Sequence, residues 1–229
     1  MRAWTRHFFY TRACLKTTWT LRIGVLVAVI LTMTVTRELW TASIGRGLVC
    51  ARDVAPSDLI LLENFDPHFI LFERAAELEK AGLAPRTLVP VQASRDPAVA
   101  SPIFSGFAEI MARYARLGTW DVLPIQEIEP VRLNAAVQIR KRLDRDHVRS
   151  VIVVTGGFQS RRTFLVYSRV LNEAGILLRC DPVFGQTTPE HWTATWHGIQ
   201  EVAEEFVKLQ YYRWWVLPFV ARRTSSGGA

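Results

Sequence analysis

The chain has 229 residues, 49% of them hydrophobic and 21% charged, with Gly 13 and Pro 11. That suits one domain plus an accessory segment and excludes a disordered, collagenous or low-complexity protein. Cys14, Cys50 and Cys180 are too few for a disulfide scaffold and lack the C-x-x-C spacing of zinc and redox sites. The net charge is +7, yet Arg2, Arg6, Arg12, Lys16 and Arg22 supply five of those charges within the first 22 residues. The charge therefore reads as a membrane-topology signal and argues against a nucleic-acid partner.

Residues 1–20 form a basic N-terminus, and the uncharged run Ile23 to Thr36 lies inside a predicted transmembrane helix over 21–42. The run is short for a bilayer core, but Trp19 and Trp40 suit the two interfaces while Arg22 and Arg37 can snorkel outward. A cleaved signal peptide is the competing reading. Against it, Arg37 and Glu38 follow the apolar run directly and no A-x-A site precedes Ile44. Val49 before Cys50 disfavours a lipoprotein signal. The excess of basic residues before the helix puts the N-terminus in the cytoplasm and the rest outside.

After a linker over 43–56, a folded domain over 57–213 alternates short apolar runs with segments of helical period. Leu59 to Leu62 reads as a buried strand. Pro67 then opens a helix with Phe69, Phe72, Ala76 and Leu78 on one face, and Gly82 stops it. Thr87 to Val91 is a second strand, followed by a helix from Ser105 to Leu117 striped by Phe107, Ile110, Met111, Tyr114 and Leu117. Val122 to Ile125 is a third strand, and Pro130 turns the chain into a helix from Asn134 whose far end carries Arg140, Lys141 and Arg142. Ser150 to Thr155, a continuous β-branched run, is the expected central strand. A helix from Gln159 to Ala174, a strand from Ile176 to Arg179 and a helix from Trp196 to Trp214 complete the series. Five βα units predict an α/β, Rossmann-like open sheet, mainly parallel, with helices on both faces and ligands beyond the carboxyl ends of the strands.

That rule selects the loop after the fourth strand, where Thr155, Gly156, Gly157 and Gln159 feed a helix start carrying Arg161 and Arg162. Outward backbone N–H groups, the helix dipole and two guanidinium forks suit an anion. The alternative is a tight glycine turn beside two solvated arginines.

In this loop the chain resembles the bacterial family of YdcF-, SanA- and ElyC-like proteins, over roughly residues 58–213. Thr155, Arg161 and Arg162 match its T-x-x-x-H-x-x-R stretch with a following arginine, although Gln159 stands at the histidine. Asp58 matches an acidic strand start, whereas Glu63, Asn64, Phe65 and Asp66 replace a Gly-rich first turn. Glu127 and Asn134 echo a middle motif, E-x-x-S-x-x-T-x-E-N, at shorter spacing. The resemblance implies a Rossmann-like α/β domain, often tethered by N-terminal membrane helices and linked to bacterial envelope processes, with a poorly defined activity; the loop and the topology above add the expectation of an inner-membrane protein whose extracytoplasmic domain binds a small anionic or phosphorylated ligand. Asn64 and Asn134 join the loop residues in that ligand set.

Glutamine cannot exchange protons as histidine does, so Gln159 leaves the loop suited to binding more than to proton transfer. Glu127 remains a candidate acid or base. It and Glu129, alternating on a strand end, would converge on a hard cation or lie solvated. After the fifth strand, His191, Trp192, Trp196 and His197 suggest a lid, with Trp192 or Trp196 stacking on a ligand and His191 or His197 contributing a proton; a structural role for both histidines is the alternative. The histidine spacing fits no zinc motif, and no cofactor is indicated. A dehydrogenase or methyltransferase is disfavoured because no G-x-G-x-x-G follows the first strand.

The last helix shows an apolar stripe of Phe206, Leu209, Tyr212 and Trp215. Residues 214–229 begin with an apolar aromatic segment beside Arg222 and Arg223, which suits either a bilayer interface or a cap on the core. The rival to the ligand-binding reading is a non-catalytic membrane scaffold with a degenerate pocket. Cys50 and Cys180 both fall outside in this topology, and the sequence leaves their pairing open.

Overall fold

The computed structural model describes residues 18–65, 68–94 and 96–218. The chain divides after Trp40 into two compact units. The first contains helix α1 (Trp19–Val35), whose Thr18 hydroxyl accepts from the Leu21 N–H and none of whose residues is buried. Helix α2 (Arg37–Gly47) follows after a break at Thr36. The hydroxyls of Thr32, Thr34 and Thr36 bond back to the carbonyls four residues earlier, at 2.8, 2.8 and 2.7 Å. Such back-bonding weakens the helical ladder and bends helices, and here it coincides with the end of the apolar run before Arg37. The unbroken helix expected over 21–42 is therefore two helices. Among the described residues no single helix is long and apolar enough to cross a membrane, and the two meet that test only together, as a bent pair.

The second unit is an α/β domain built on five parallel strands: β1 (Leu59–Leu62), β2 (Thr87–Gln92), β3 (Trp120–Ile125), β4 (Ser150–Gly156) and β5 (Leu177–Val183). Their order is β3-β2-β1-β4-β5, so β1 takes the middle position and β4, expected there, lies beside it. The connecting helices are α3 (Phe69–Lys80), α4 (Pro102–Ala115), α5 (Val131–Arg145), α6 (Ser160–Leu171) and, last, α7 (Trp196–Tyr211), which runs on into a π-type turn, Tyr212–Val216.

Period-two alternation sorts the strand residues between two cores. Ile60, Leu62, Val89, Val91, Ile152 and Val154 pack with α3 and α4. Leu59, Leu61, Leu88, Val151, Val153 and Leu178 pack with α5 and α6 on the other face. Helices thus cover both faces, as the sequence predicts for a parallel sheet. Gly82 ends the α3 turn at φ +70°, a conformation that costs glycine little. Pro67, the expected opener of that helix, lies outside the described residues.

Three expected stripes are turned. On α3, Leu71, Phe72, Ala75, Ala76 and Leu78 are buried and Phe69 is exposed. On α4 the small residues Ala108 and Ala112 face the sheet, while Phe107, Ile110 and Tyr114 are more than half exposed. On α7 the buried line is Val202, Glu205, Leu209 and Tyr212, and Phe206 and Trp215 lie outside it. The reason on α7 is an ion pair: Glu205 turns inward to meet Arg162.

The expected linker is stitched to the domain. Cys50 forms a disulfide with Cys180 of β5, its N–H donates to the Ser160 hydroxyl at 3.0 Å, and the Asp53 N–H donates to the Cys180 carbonyl at 2.9 Å. Arg52 reaches the fully buried Asp181 at 2.7 Å, which Arg74 of α3 also contacts at 2.6 Å.

Candidate functional site

In a sheet of this order the topological switch point lies between β1 and β4, at their carboxyl ends. The alternation that buries Leu59 and Leu61 carries Glu63 onto the same face, and the alternation of Val151 and Val153 brings Thr155 beside it. The Glu63 carboxylate is almost completely buried and ion-paired to Arg132 of α5. It also accepts hydrogen bonds from the hydroxyls of Thr155 and, at 2.6 Å, Thr163. Arg132 donates in turn to the Thr163 hydroxyl at 2.8 Å and the Gln159 amide oxygen at 2.5 Å. Burial, with Arg162 nearby, pulls the Arg132 guanidinium down to about 10, which still leaves it charged near neutral pH. The switch point, where related architectures admit a ligand, is thus filled by the protein's own ion pair.

Part of the N-terminus of α6 is likewise tied to the fold. The Ser160 N–H donates to the Gly157 carbonyl, the Arg161 N–H to the Leu48 carbonyl and the Thr163 N–H to the Gln159 carbonyl. Arg162 is buried and donates to both oxygens of the Glu205 carboxylate, and Arg161 is exposed. Of the two arginines expected in an anion cradle here, Arg162 is therefore paired within the fold and Arg161 is not among the residues lining the cleft.

The open space lies one strand further over. A cleft of about 420 Å³ spans the carboxyl ends of β4 and β5 against α7. Gly156, Gly157, Phe158 and Gln159 form one wall, with Phe184, Gly185, Gln186 and Thr187 beside them. His197, Gln200, Glu201, Glu204, Glu205 and Lys208 of α7 form the opposite wall, and His68 enters from the start of α3. The rings of Phe158 and Phe184 meet edge to face at 5.8 Å. Lys208 bridges Glu204 at 2.5 Å and Glu205 at 3.5 Å, so carboxylates outnumber ammonium groups on this wall.

Of the expected site residues, Gly156, Gly157, Gln159 and His197 line the cleft. Thr155 belongs to the buried network beside it. Asn64 is buried, and its side-chain oxygen has no hydrogen-bond partner among the described residues. Asn134 holds its own turn together by donating to the Ile128 carbonyl at 2.9 Å. Glu127 is exposed past the end of β3 and accepts from the Gln92 amide at 2.9 Å. It and Glu129 therefore leave from a loop, not from alternate positions of a strand, and among the described residues no group of three His, Cys, Asp or Glu is arranged to hold a metal ion. The lid is also redrawn. Trp192 is buried among Leu48, Phe158, Val202 and Leu209, with its indole N–H on the Thr41 carbonyl at 2.8 Å. His191 meets the Thr188 hydroxyl at 3.3 Å, and Trp196 is exposed.

Sequence reasoning passed over Arg132, Thr163, Glu205 and the polar line of α7. That last signal was present, because His197, Glu201, Glu204 and Lys208 recur at helical spacing and define a face distinct from the buried one. No known family model matches the chain, and no curated protein does.

Proposed function

We propose that the chain is a membrane-tethered, extracytoplasmic α/β domain, a diverged relative of the YdcF-like proteins, that binds a small hydroxyl-rich molecule in the β4–β5 cleft in the service of bacterial envelope processes. The observation that carries this reading is the lining itself. The cleft is lined by the amide groups of Gln159, Gln186 and Gln200 and the carboxylates of Glu201 and Glu204, with Phe158 and Phe184 among the lining residues. Hydroxyls donate to carboxylates and accept from amides, so such a lining suits a polyol, while its excess of acid opposes a polyanion.

The tether is supported by the character of α1: no buried residue, no charge between Arg22 and Arg37, and threonine hydroxyls satisfied within the helix, as an apolar solvent requires. The Cys50–Cys180 disulfide supports an oxidising compartment for the domain. A small anionic or phosphorylated ligand is the second reading, favoured by Lys208, His68 and His197 on the same walls.

Thermal-shift titration of the full chain in detergent with neutral sugars, amino sugars, sugar phosphates and nucleotides tests both readings. A saturable rise with neutral or amino sugars that Gln159→Ala and Glu204→Gln abolish supports the first. A rise with phosphorylated ligands only, lost on Lys208→Met, selects the second. No rise with any of them, from a folded protein, favours the non-catalytic scaffold.

A further inference from the structure

Helix α7 has three faces, and the first two are accounted for. Val202, Glu205 and Leu209 are buried, and His197, Glu201, Glu204 and Lys208 face the cleft. The third carries Trp196, Ile199, Ala203, Val207, Tyr211 and Trp214, at spacings of three and four residues, and all are exposed. The stripe runs about 27 Å at 1.5 Å per residue. It ends at Trp214, 69% exposed, and Trp215, 62% exposed, with the Arg213 guanidinium 5.4 Å from the Trp214 ring centre.

This is more apolar surface than scattered side chains require, and its charge setting changes along the helix. Glu201 and Glu204 flank the N-terminal half. After Glu205 the sequence contains no further acid, and Lys208, Arg213, Arg222 and Arg223 follow within the last 24 residues. Tryptophan and tyrosine beside arginine is the composition of a helix lying in a lipid interface, where the ring sits at headgroup depth and the cation pairs with anionic lipid.

We infer that the C-terminal half of this face, Val207, Tyr211, Trp214 and Trp215 with Arg213, docks on an anionic bilayer surface. This second membrane contact is separate from α1 and relies on the tethered reading only to bring the domain to a bilayer.

The test uses the full chain with Cys14→Ser, reconstituted in nanodiscs of phosphatidylcholine with or without phosphatidylglycerol. A nitroxide is placed singly at Val27, Trp214 or Glu173, each through a cysteine substitution, and collision with oxygen is compared with collision with a water-soluble nickel chelate. The expected result is preferential oxygen collision at 214 that requires the anionic lipid and is lost on Arg213→Glu, with chelate collision at 173. Chelate collision at 214 while 27 reports lipid overturns the docking and leaves the tether standing. Chelate collision at 27 while 214 reports lipid removes the tether and retains the docking. Spin–spin broadening at 214 overturns the inference in favour of a second copy of this chain on the same face. Oxygen collision at 214 that does not depend on phosphatidylglycerol overturns the electrostatic part.

Discussion

Arg162 of α6 grips Glu205 of α7 through two nitrogens, Nε at 3.0 Å to one carboxylate oxygen and Nη2 at 2.8 Å to the other, with both side chains buried. The guanidinium also lies 5.8 Å from the Tyr212 ring centre. Removing one partner strands a buried charge, so Glu205→Ala is expected to destabilise by about 3–5 kcal/mol. The double change Arg162→Met with Glu205→Leu strands none and is expected to recover most of that loss. Denaturant unfolding of the three variants checks the ordering. A double variant no better than Glu205→Ala alone would mean that the pair is not what fixes α7.

The Cys50–Cys180 bridge closes a loop of sequence separation 130. A loop that long restricts the unfolded chain strongly, and Cys50→Ser is expected to cost about 2–5 kcal/mol. The sequence has three cysteines, so protein from an oxidising compartment should show one thiol per chain on denaturation and three after reduction. Three thiols without reductant would remove the support that this bridge gives to an extracytoplasmic domain.

Acid should expose a second tie. Asp58 accepts from the N–H groups of Arg149 and Ser150, each at 2.8 Å, and from the Ser150 hydroxyl at 3.0 Å. The Arg149 N–H chiefly holds its carboxyl below the ordinary value of 3.8. A carboxyl depressed on folding contributes stability above its unfolded value and loses it as pH falls through the folded one. Asp58→Asn should therefore melt below wild type at pH 6, and the gap should shrink as pH falls below the ordinary carboxyl value of 3.8. The side chain is exposed, so the gap at pH 6 is expected to be no more than about 1 kcal/mol. A gap that stays constant across this range would rule out the ionised carboxylate as its source.

The cleft has a built-in steric probe. A Cβ on Gly157 would run into the Phe184 ring, which meets Phe158 edge to face. Gly157→Ala must displace that ring within the cleft lining, at an expected cost of about 1–3 kcal/mol. Ligand binding should fall by more than that stability loss explains, measured by titration at a temperature where the variant is fully folded. Unchanged affinity would move the binding site elsewhere.

The strands were legible because continuous β-branched or apolar runs such as Leu59 to Leu62 and Ser150 to Thr155 have few other uses in a domain of this size. The helix faces were less so. On α4, Phe107, Ile110 and Tyr114 form a better apolar stripe than Ala108 and Ala112, yet the alanines face the sheet, since close approach of helix to sheet favours small side chains. Arg132 and Glu63 are far apart in sequence and each resembles a surface charge, so only the crossing of α5 over the end of β1 makes them a pair. The glycine loop lines the cleft, but nothing local in the sequence marks Arg162 as paired, because its buried partner, Glu205, lies 43 residues on.

Tyr167 of α6 offers the reverse case, a polar group that the fold does not use. Its ring is fully buried, and its hydroxyl has no hydrogen-bond partner among the described residues. Burial pushes its ionisation well above the ordinary tyrosine value of 10.0, so the group is neutral near neutral pH. An unsatisfied hydroxyl carries a desolvation penalty of about 1–3 kcal/mol, part of which is returned when the oxygen is removed without changing the ring. Tyr167→Phe is accordingly expected to be neutral or to stabilise by up to about 1 kcal/mol, against the usual direction for a change in a packed core. Denaturant unfolding decides it, and a loss of 1 kcal/mol or more would mean that an ordered water, or a partner formed in solution, holds this hydroxyl.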